Sequence, residues 1–212
     1  MPVLPPLIPL FPLPDVVFFP RMPMPLHIFE PRYRQMVTDV LEGHRTIGMT
    51  LLRPGWEPDY QGRPAVYPVG CAGIVDECQR LEGGRYNLVL KGIARFRIVE
   101  EREGPTPYRL ASAEYRGDAM GEPSSLEGSR DRLLKALANL AEGAAVFLSR
   151  PELSHELFCN AVCQYMDLAP VEKQSLLDCE SVAVRYARLL EILEFRALER
   201  TFLGGNQSPT VH

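Results

Sequence analysis

Leu7-Ile-Pro-Leu-Phe-Pro-Leu-Pro-Asp-Val-Val-Phe-Phe-Pro20 is followed, after Arg21-Met-Pro23, by Met24-Pro-Leu-His-Ile-Phe-Glu-Pro-Arg-Tyr33. Prolines break the apolar residues into runs too short for a helix, so Leu7–Leu10 and Val16–Phe19 read as strands separated by Pro12 and Pro14. A proline nitrogen cannot donate to a sheet ladder, which places such strands at edges or directly after turns. The pattern changes at Ile28. Phe29, Tyr33, Met36, Val37, Val40 and Leu41 recur at helical spacing up to Gly43, and Pro31 suits the first turn.

Beyond this opening the first half reads as sheet. Strands are expected at 46–52, 69–78, 85–91, 94–101 and 108–114, with Gly83-Gly84 as a hairpin turn. Tyr86, Leu88 and Leu90 alternate with Asn87, Val89 and Lys91, the period of a sheet with one face in a core. The second half is helical. Leu133, Leu137, Leu140, Ala144 and Phe147 or Leu148 stripe one helix, and Leu157, Phe158, Ala161, Val162, Tyr165 and Met166 stripe the next. A short helix starts at Pro170, and a long one follows Ser181, a good N-cap. The expected organisation is a strand subdomain at 1–116, a small polar linker at 117–125, a helical bundle at 126–203 and a flexible tail at 204–212.

Of the 212 residues, 46% are hydrophobic and 24% charged, an ordinary globular composition. The net charge of −4 gives no positive field for nucleic acid or anionic lipid. No run reaches the roughly 18 apolar residues of a membrane span. The proline-rich start, lacking a basic leader, does not read as a signal peptide, so a cytoplasmic location is expected. Five cysteines, at positions 71, 78, 159, 163 and 179, are too few and too scattered for a disulfide framework and read as reduced thiols.

The two opening segments resemble the start of the N-terminal, substrate-binding domain of Lon proteases. That family shows a Pro-Leu-Phe-Pro start, a Phe-Pro step and Pro-Leu-x-Ile-Phe-Glu-x-Arg-Tyr. Val69-Gly-Cys-Ala-Gly-Ile-Val75 and Leu90-Lys-Gly-Ile-Ala-Arg-Phe96 resemble its Gly-containing and Gly-x-x-Arg-Phe strands, and Leu168–Leu193 its late helices. Two positions depart from the pattern: Arg21 stands where a glycine usually follows the Phe-Pro step, and Cys71 where a threonine is common. The resemblance implies an α+β fold, a PUA-like pseudo β-barrel of short antiparallel strands followed by a C-terminal helical bundle. It also implies a stand-alone, non-catalytic module that binds exposed hydrophobic or unfolded polypeptide.

Catalytic signatures of a complete Lon protease are missing from the sequence. None of the three lysines, Lys91, Lys135 and Lys173, is followed by Ser or Thr, so no phosphate-cradling Gly-x-x-x-x-Gly-Lys-Ser/Thr loop exists. No Gly-x-Ser-x-Gly elbow is present either. His155, Cys159 and Cys163 share one helix face, but a structural zinc site wants four ligands, and core thiols explain the spacing. No cofactor or metal is expected. Phe18, Phe19, Met22 and Met24, set among prolines, are the candidate polypeptide contacts, against the alternative that they cap the core. Arg32 is read as pairing with Glu30, Tyr33 as packing the helix on the barrel, and Arg95 as a strand-face ion pair. Two other functions remain open. One is an RNA-binding module using the strip Arg85, Lys91, Arg95 and Arg97. The other is a small-molecule binder or enzyme with a pocket between barrel and bundle. The partner's identity, the oligomeric state and any cooperation with a full-length protease are not legible.

Overall fold

The computed structural model describes residues 4–121, 123–140 and 153–204. The chain divides into two compact units, one of residues 1–118 and 163–178, the other of residues 119–162 and 179–212. The sequence expectation placed all of 126–203 together; here Cys163–Asp178 groups with the strands.

The first unit holds β1 (Leu7–Leu13), β2 (Pro23–Ile28), α1 (Pro31–Glu42), β3 (Thr46–Leu51), β4 (Val69–Arg80), β5 (Tyr86–Arg102) and β6 (Arg109–Arg116). Its mixed six-stranded sheet runs β2-β5-β4-β3-β1-β6, and β6 returns to pair with β5. The result is a closed ring of strands rather than a regular barrel. One pairing departs from the expected antiparallel pattern: β1 runs parallel to β3, because the chain returns from β1 through β2 and α1. The two strands expected at 85–91 and 94–101 are one, β5. It serves β2 along Tyr86–Lys91 and β6 along Arg95–Arg102, with β4 on its other side.

Proline sits inside this ring without breaking it. β1 pairs with β6 over Leu7–Leu10 and with β3 over Leu10–Leu13. Leu13 O accepts from Leu52, and Pro6 O from Ala113 of β6, so odd positions face β3 and even positions face β6. Pro9 therefore points toward β3 before that pairing begins, and Pro12 toward β6 after that pairing ends. Neither missing N–H costs a ladder bond.

Val16–Phe19 is not a strand. This stretch runs buried and irregular, with Phe18 1% and Phe19 0% exposed. It lies on glycine: a Cβ on Gly92 would come within 2.3 Å of Phe19 O, and one on Gly73 within 2.7 Å of the Phe18 ring. The ring interior is packed by Ile8, Leu10, Ala72, Phe96 and Ala111. α1 buries Tyr33, Met36, Val37 and Val40, and the centroid of the Tyr33 ring lies 4.5 Å from that of Phe11, which alternates along β1 with Ile8 and Leu10. The helix starts at Pro31, so Phe29 lies outside the apolar stripe proposed for it and is 60% exposed.

Two helical segments complete this unit: the last turn of α3 (His155–Tyr165) and α4 (Pro170–Leu177). Gln174 of α4 donates to Val69 O at 3.0 Å. Arg95 of β5 pairs with Asp118 and donates to Leu177 O at 3.2 Å, joining the strand, the chain exit after β6 and the end of α4. Tyr165, expected on the buried stripe of α3, is 62% exposed.

In the second unit, α2 (Pro123–Leu140) begins inside the expected linker, and α5 (Val182–Gly204) is the long final helix. The Ser181 side chain accepts the Val184 N–H at 3.2 Å, the cap expected there. Leu126, Leu133 and Leu137 of α2 are buried, as are Phe158 and Val162 of α3 and Tyr186, Leu189, Leu190 and Leu193 of α5. Buried Arg185 donates to Asn160 at 2.6 Å. Ala144, Phe147 and Leu148 lie outside the described residues.

Candidate polypeptide-binding face

β2 decides what the sheet shows to solvent. Met22 O accepts the Gly92 N–H at 2.9 Å, so positions 22, 24, 26 and 28 turn their backbone groups toward β5. Pro23, Pro25 and His27 turn theirs outward. Pro23 O already accepts from Gln164 at 3.0 Å, and among these three residues only His27 keeps an N–H. Among the described residues no other strand pairs with that side. The open edge is thus poor in donors, the arrangement by which natural sheets discourage added strands.

The outward face of the same sheet is the available surface. Pro23, Pro25, His27 and Phe29 are all exposed along β2 and its exit. Pro25 stands opposite Val89 of β5, and Val89 opposite Glu77 of β4; the next row is His27, Asn87 and Gln79. These rows line a shallow concavity of about 650 Å³. His27 Nδ1 is 2.7 Å from the Asn87 side-chain oxygen, and its ring stacks on Phe29 with centroids 6.1 Å apart. The stack holds an exposed aromatic in place, and the side-chain amides of Asn87 and Gln79 offer both donors and acceptors.

Of the four candidate contacts, Phe18, Phe19 and Met22 are interior, with Met22 3% exposed. Only Met24 reaches partial exposure, on the inward parity of β2. An exposed patch of these four side chains does not exist, because the glycines of β4 and β5 leave a bed into which the Phe18–Met22 turn sinks. Those glycines were the available signal: glycine inside a strand marks close approach of another chain segment. Phe29 was missed because it was counted into α1. The basic strip is also interrupted, since Arg95 is 5% exposed and engaged with Asp118. Arg32 does pair with Glu30, at 3.1 Å. All five cysteines are free thiols, with Cys71, Cys159 and Cys163 buried.

A family model for the ATP-dependent protease La (LON) substrate-binding domain matches residues 7–194. The chain belongs to the LON substrate-binding domain family. Its similarity to curated proteins includes 29% identity over 198 residues to Lon protease 2 of Desulfotalea psychrophila, covering 90% of this chain and 25% of that protein. Lon protease of Dictyoglomus thermophilum is 28% identical over 162 residues, covering 75% of this chain and 19% of that protein. The chain spans about a quarter or less of the length of these relatives, within their LON substrate-binding portion.

Among solved structures, the Lon N-terminal domain protein from Xanthomonas campestris superposes with a TM-score of 0.63 at 21% identity, over 87% of this chain and 97% of that one. The N-terminal domain of the Mycobacterium avium complex Lon protease gives 0.68 at 15%, over 91% and 98%. These two establish the LON N-terminal fold independently of the sequence motifs. No helix among the described residues is long and apolar enough to cross a membrane.

Proposed function

We propose that this chain is a non-catalytic module that holds exposed segments of unfolded polypeptide on the outer face of β2, β5 and β4. The observation that carries the reading is the Phe29–His27 ring stack on the sheet face that also carries Pro25 and Val89, in a substrate-binding family. Single exposed apolar side chains are ordinary; what marks an interaction surface is their grouping, here Pro25, Phe29 and Val89 on one sheet face. Because the β2 edge is poor in donors, contact goes through side chains on the face rather than through an added strand. Such contact is tolerant of sequence, as binding of unfolded chains requires.

The test is fluorescence anisotropy with a labelled, reduced and alkylated model protein, and with its folded form as control. The unfolded form binds and the folded form does not; no peptide is hydrolysed when ATP is added. The double variant Phe29→Ser, Val89→Lys weakens binding about tenfold or more, the loss of roughly 1.4 kcal/mol of apolar contact, while the urea midpoint stays that of the parent. Absence of binding at low salt, or binding indifferent to both substitutions, refutes this assignment.

A further inference from the structure

A second concavity in the strand unit has different chemistry. It encloses about 300 Å³ between α1, the loop after β3 and the start of β6. Three guanidinium groups line it, from Arg32, Arg63 and Arg109. Arg32 is fixed by Glu30 through Nε and Nη2, donates to Tyr60 O at 3.3 Å, and lies over the Tyr33 and Tyr60 rings at 4.7 and 5.2 Å. Arg109 is fixed by Glu101 and donates to Pro64 O at 2.8 Å. A guanidinium has five N–H donors, so these bonds leave donors on each group while setting its orientation. Arg63 is exposed, and its side chain has no ion pair or hydrogen bond among the described residues.

Tyr33 is the telling residue. It is 4% exposed and lines this pocket, yet its hydroxyl has no hydrogen-bond partner among the described residues. The hydroxyl oxygen itself is not fully buried, so it can donate to a ligand. Burial pushes this phenol up to about 12, so it is a protonated donor at neutral pH. Pro12, Pro64 and Pro107 supply apolar wall beside it. In charge terms, Glu30 and Glu101 offset Arg32 and Arg109, while the Asp59 carboxylate accepts the Arg63 backbone N–H at 3.2 Å. Three guanidinium groups set against three carboxylates leave the surroundings near neutral, which disfavours a multiply charged anion.

We propose that this pocket takes the C-terminal carboxylate of a bound polypeptide together with its last side chain. The assignment rests on the polypeptide-binding reading and adds to it a preference for chain ends. The carboxylate receives the Tyr33 hydroxyl and the Arg63 guanidinium, with the last side chain against the prolines.

Two labelled peptides of one sequence ending in leucine, one a free acid and one an amide, are titrated onto the full chain. The acid binds about tenfold more tightly, the scale of one charge-assisted contact. Tyr33→Phe, which keeps the ring, and Arg63→Gln, on an exposed loop, each shrink that ratio toward one and leave the amide's affinity unchanged. Saturating N-acetylleucine erases the acid's advantage. Equal affinities for acid and amide, or a ratio that survives both variants, overturn the pocket assignment while the unfolded-protein result still stands. If N-acetylleucine binds directly and the acid peptide shows no advantage, the pocket serves free organic acids and the chain-end assignment is wrong. If neither peptide nor unfolded protein binds, both readings fall.

Discussion

Gln164, on the last turn of α3, accepts the backbone N–H of Phe19 at 3.1 Å. The other end of the same amide donates to Pro23 O at 3.0 Å. A single side chain, 7% exposed, therefore clips both ends of the turn that carries Arg21 and leads into β2. Lys173 of α4 in turn donates to Gln164 O at 2.7 Å, fixing the helix that presents the clip.

Replacing Gln164 with alanine removes a buried acceptor and a buried donor together. Each such loss costs about 1–3 kcal/mol, so the variant is about 2–6 kcal/mol less stable in urea. Gln164→Glu retains the acceptor for Phe19 but sets a carboxylate oxygen against Pro23 O. That variant is also destabilised at neutral pH, and part of the loss returns on acidification, when the carboxyl can donate. Stability of both variants equal to the parent's would mean the turn holds without the clip.

Arg21, within that turn, has φ +66°. An L-residue pays roughly 1–2 kcal/mol in the left-handed region, and glycine pays nothing there but loses more chain entropy on folding. Arg21→Gly is therefore expected to stabilise the chain by about 0.5–1 kcal/mol, raising Tm by about 2 °C in scanning calorimetry. An unchanged or lower Tm would mean that what Arg21 contributes in the fold outweighs the backbone gain.

The fold was readable where local pattern and partner agree. Alternation in Tyr86–Lys91 and the helical stripe of α1 each predict one buried face, and each has one. The motifs around Gly70 and Gly92 were readable as resemblance, and the structure supplies their cause. A Cβ on Gly70 would stand 2.3 Å from Met49 O and 2.8 Å from the Phe96 ring, so the strand signature records packing. What escaped the sequence depends on which side of a strand a residue faces. Pro23 and Pro25 lie at alternate positions and both turn away from β5, so β2, which the sequence reading did not place, forms despite them. For Phe18, Phe19 and Met22 the flanking prolines left two readings, surface contact or core cap. Only the glycine bed on β4 and β5, distant in sequence, shows that they are core. The donor-poor edge and the pocket around Tyr33 arise from segments that meet only after folding.

Arg95 and Asp118 make a buried ion pair, their side chains 5% and 2% exposed. Taking away one partner leaves the other charged and dry, which costs about 3–5 kcal/mol. Asp118→Ala should therefore lower the free energy of unfolding by that amount, and Asp118→Asn by less, since the amide oxygen can still accept from Arg95 Nε. Equilibrium urea unfolding of the three proteins at neutral pH checks the order. A loss below about 1 kcal/mol for Asp118→Ala would show that water reaches Arg95 as at an exposed pair.

Three tyrosines set the alkaline limit of the fold. Burial pushes the Tyr33 and Tyr115 phenols up to about 12, and Tyr108, buried and donating to Asp39 at 2.7 Å, higher still. Each folded value exceeds the ordinary one of 10, so between these values the native state holds protons that the unfolded chain has lost. The stabilisation is complete below pH 10 and declines as pH rises toward and through the folded values. The urea midpoint should therefore be flat from pH 8 to about 9.5 and fall steeply above about pH 10. Absorbance at 295 nm should show these phenols ionising together with unfolding rather than before it. Tyr33→Phe and Tyr115→Phe each make the fall shallower, because one raised group no longer contributes. A full phenolate signal from the still-folded chain at pH 10.5 would show that these phenols are not held protonated by the fold.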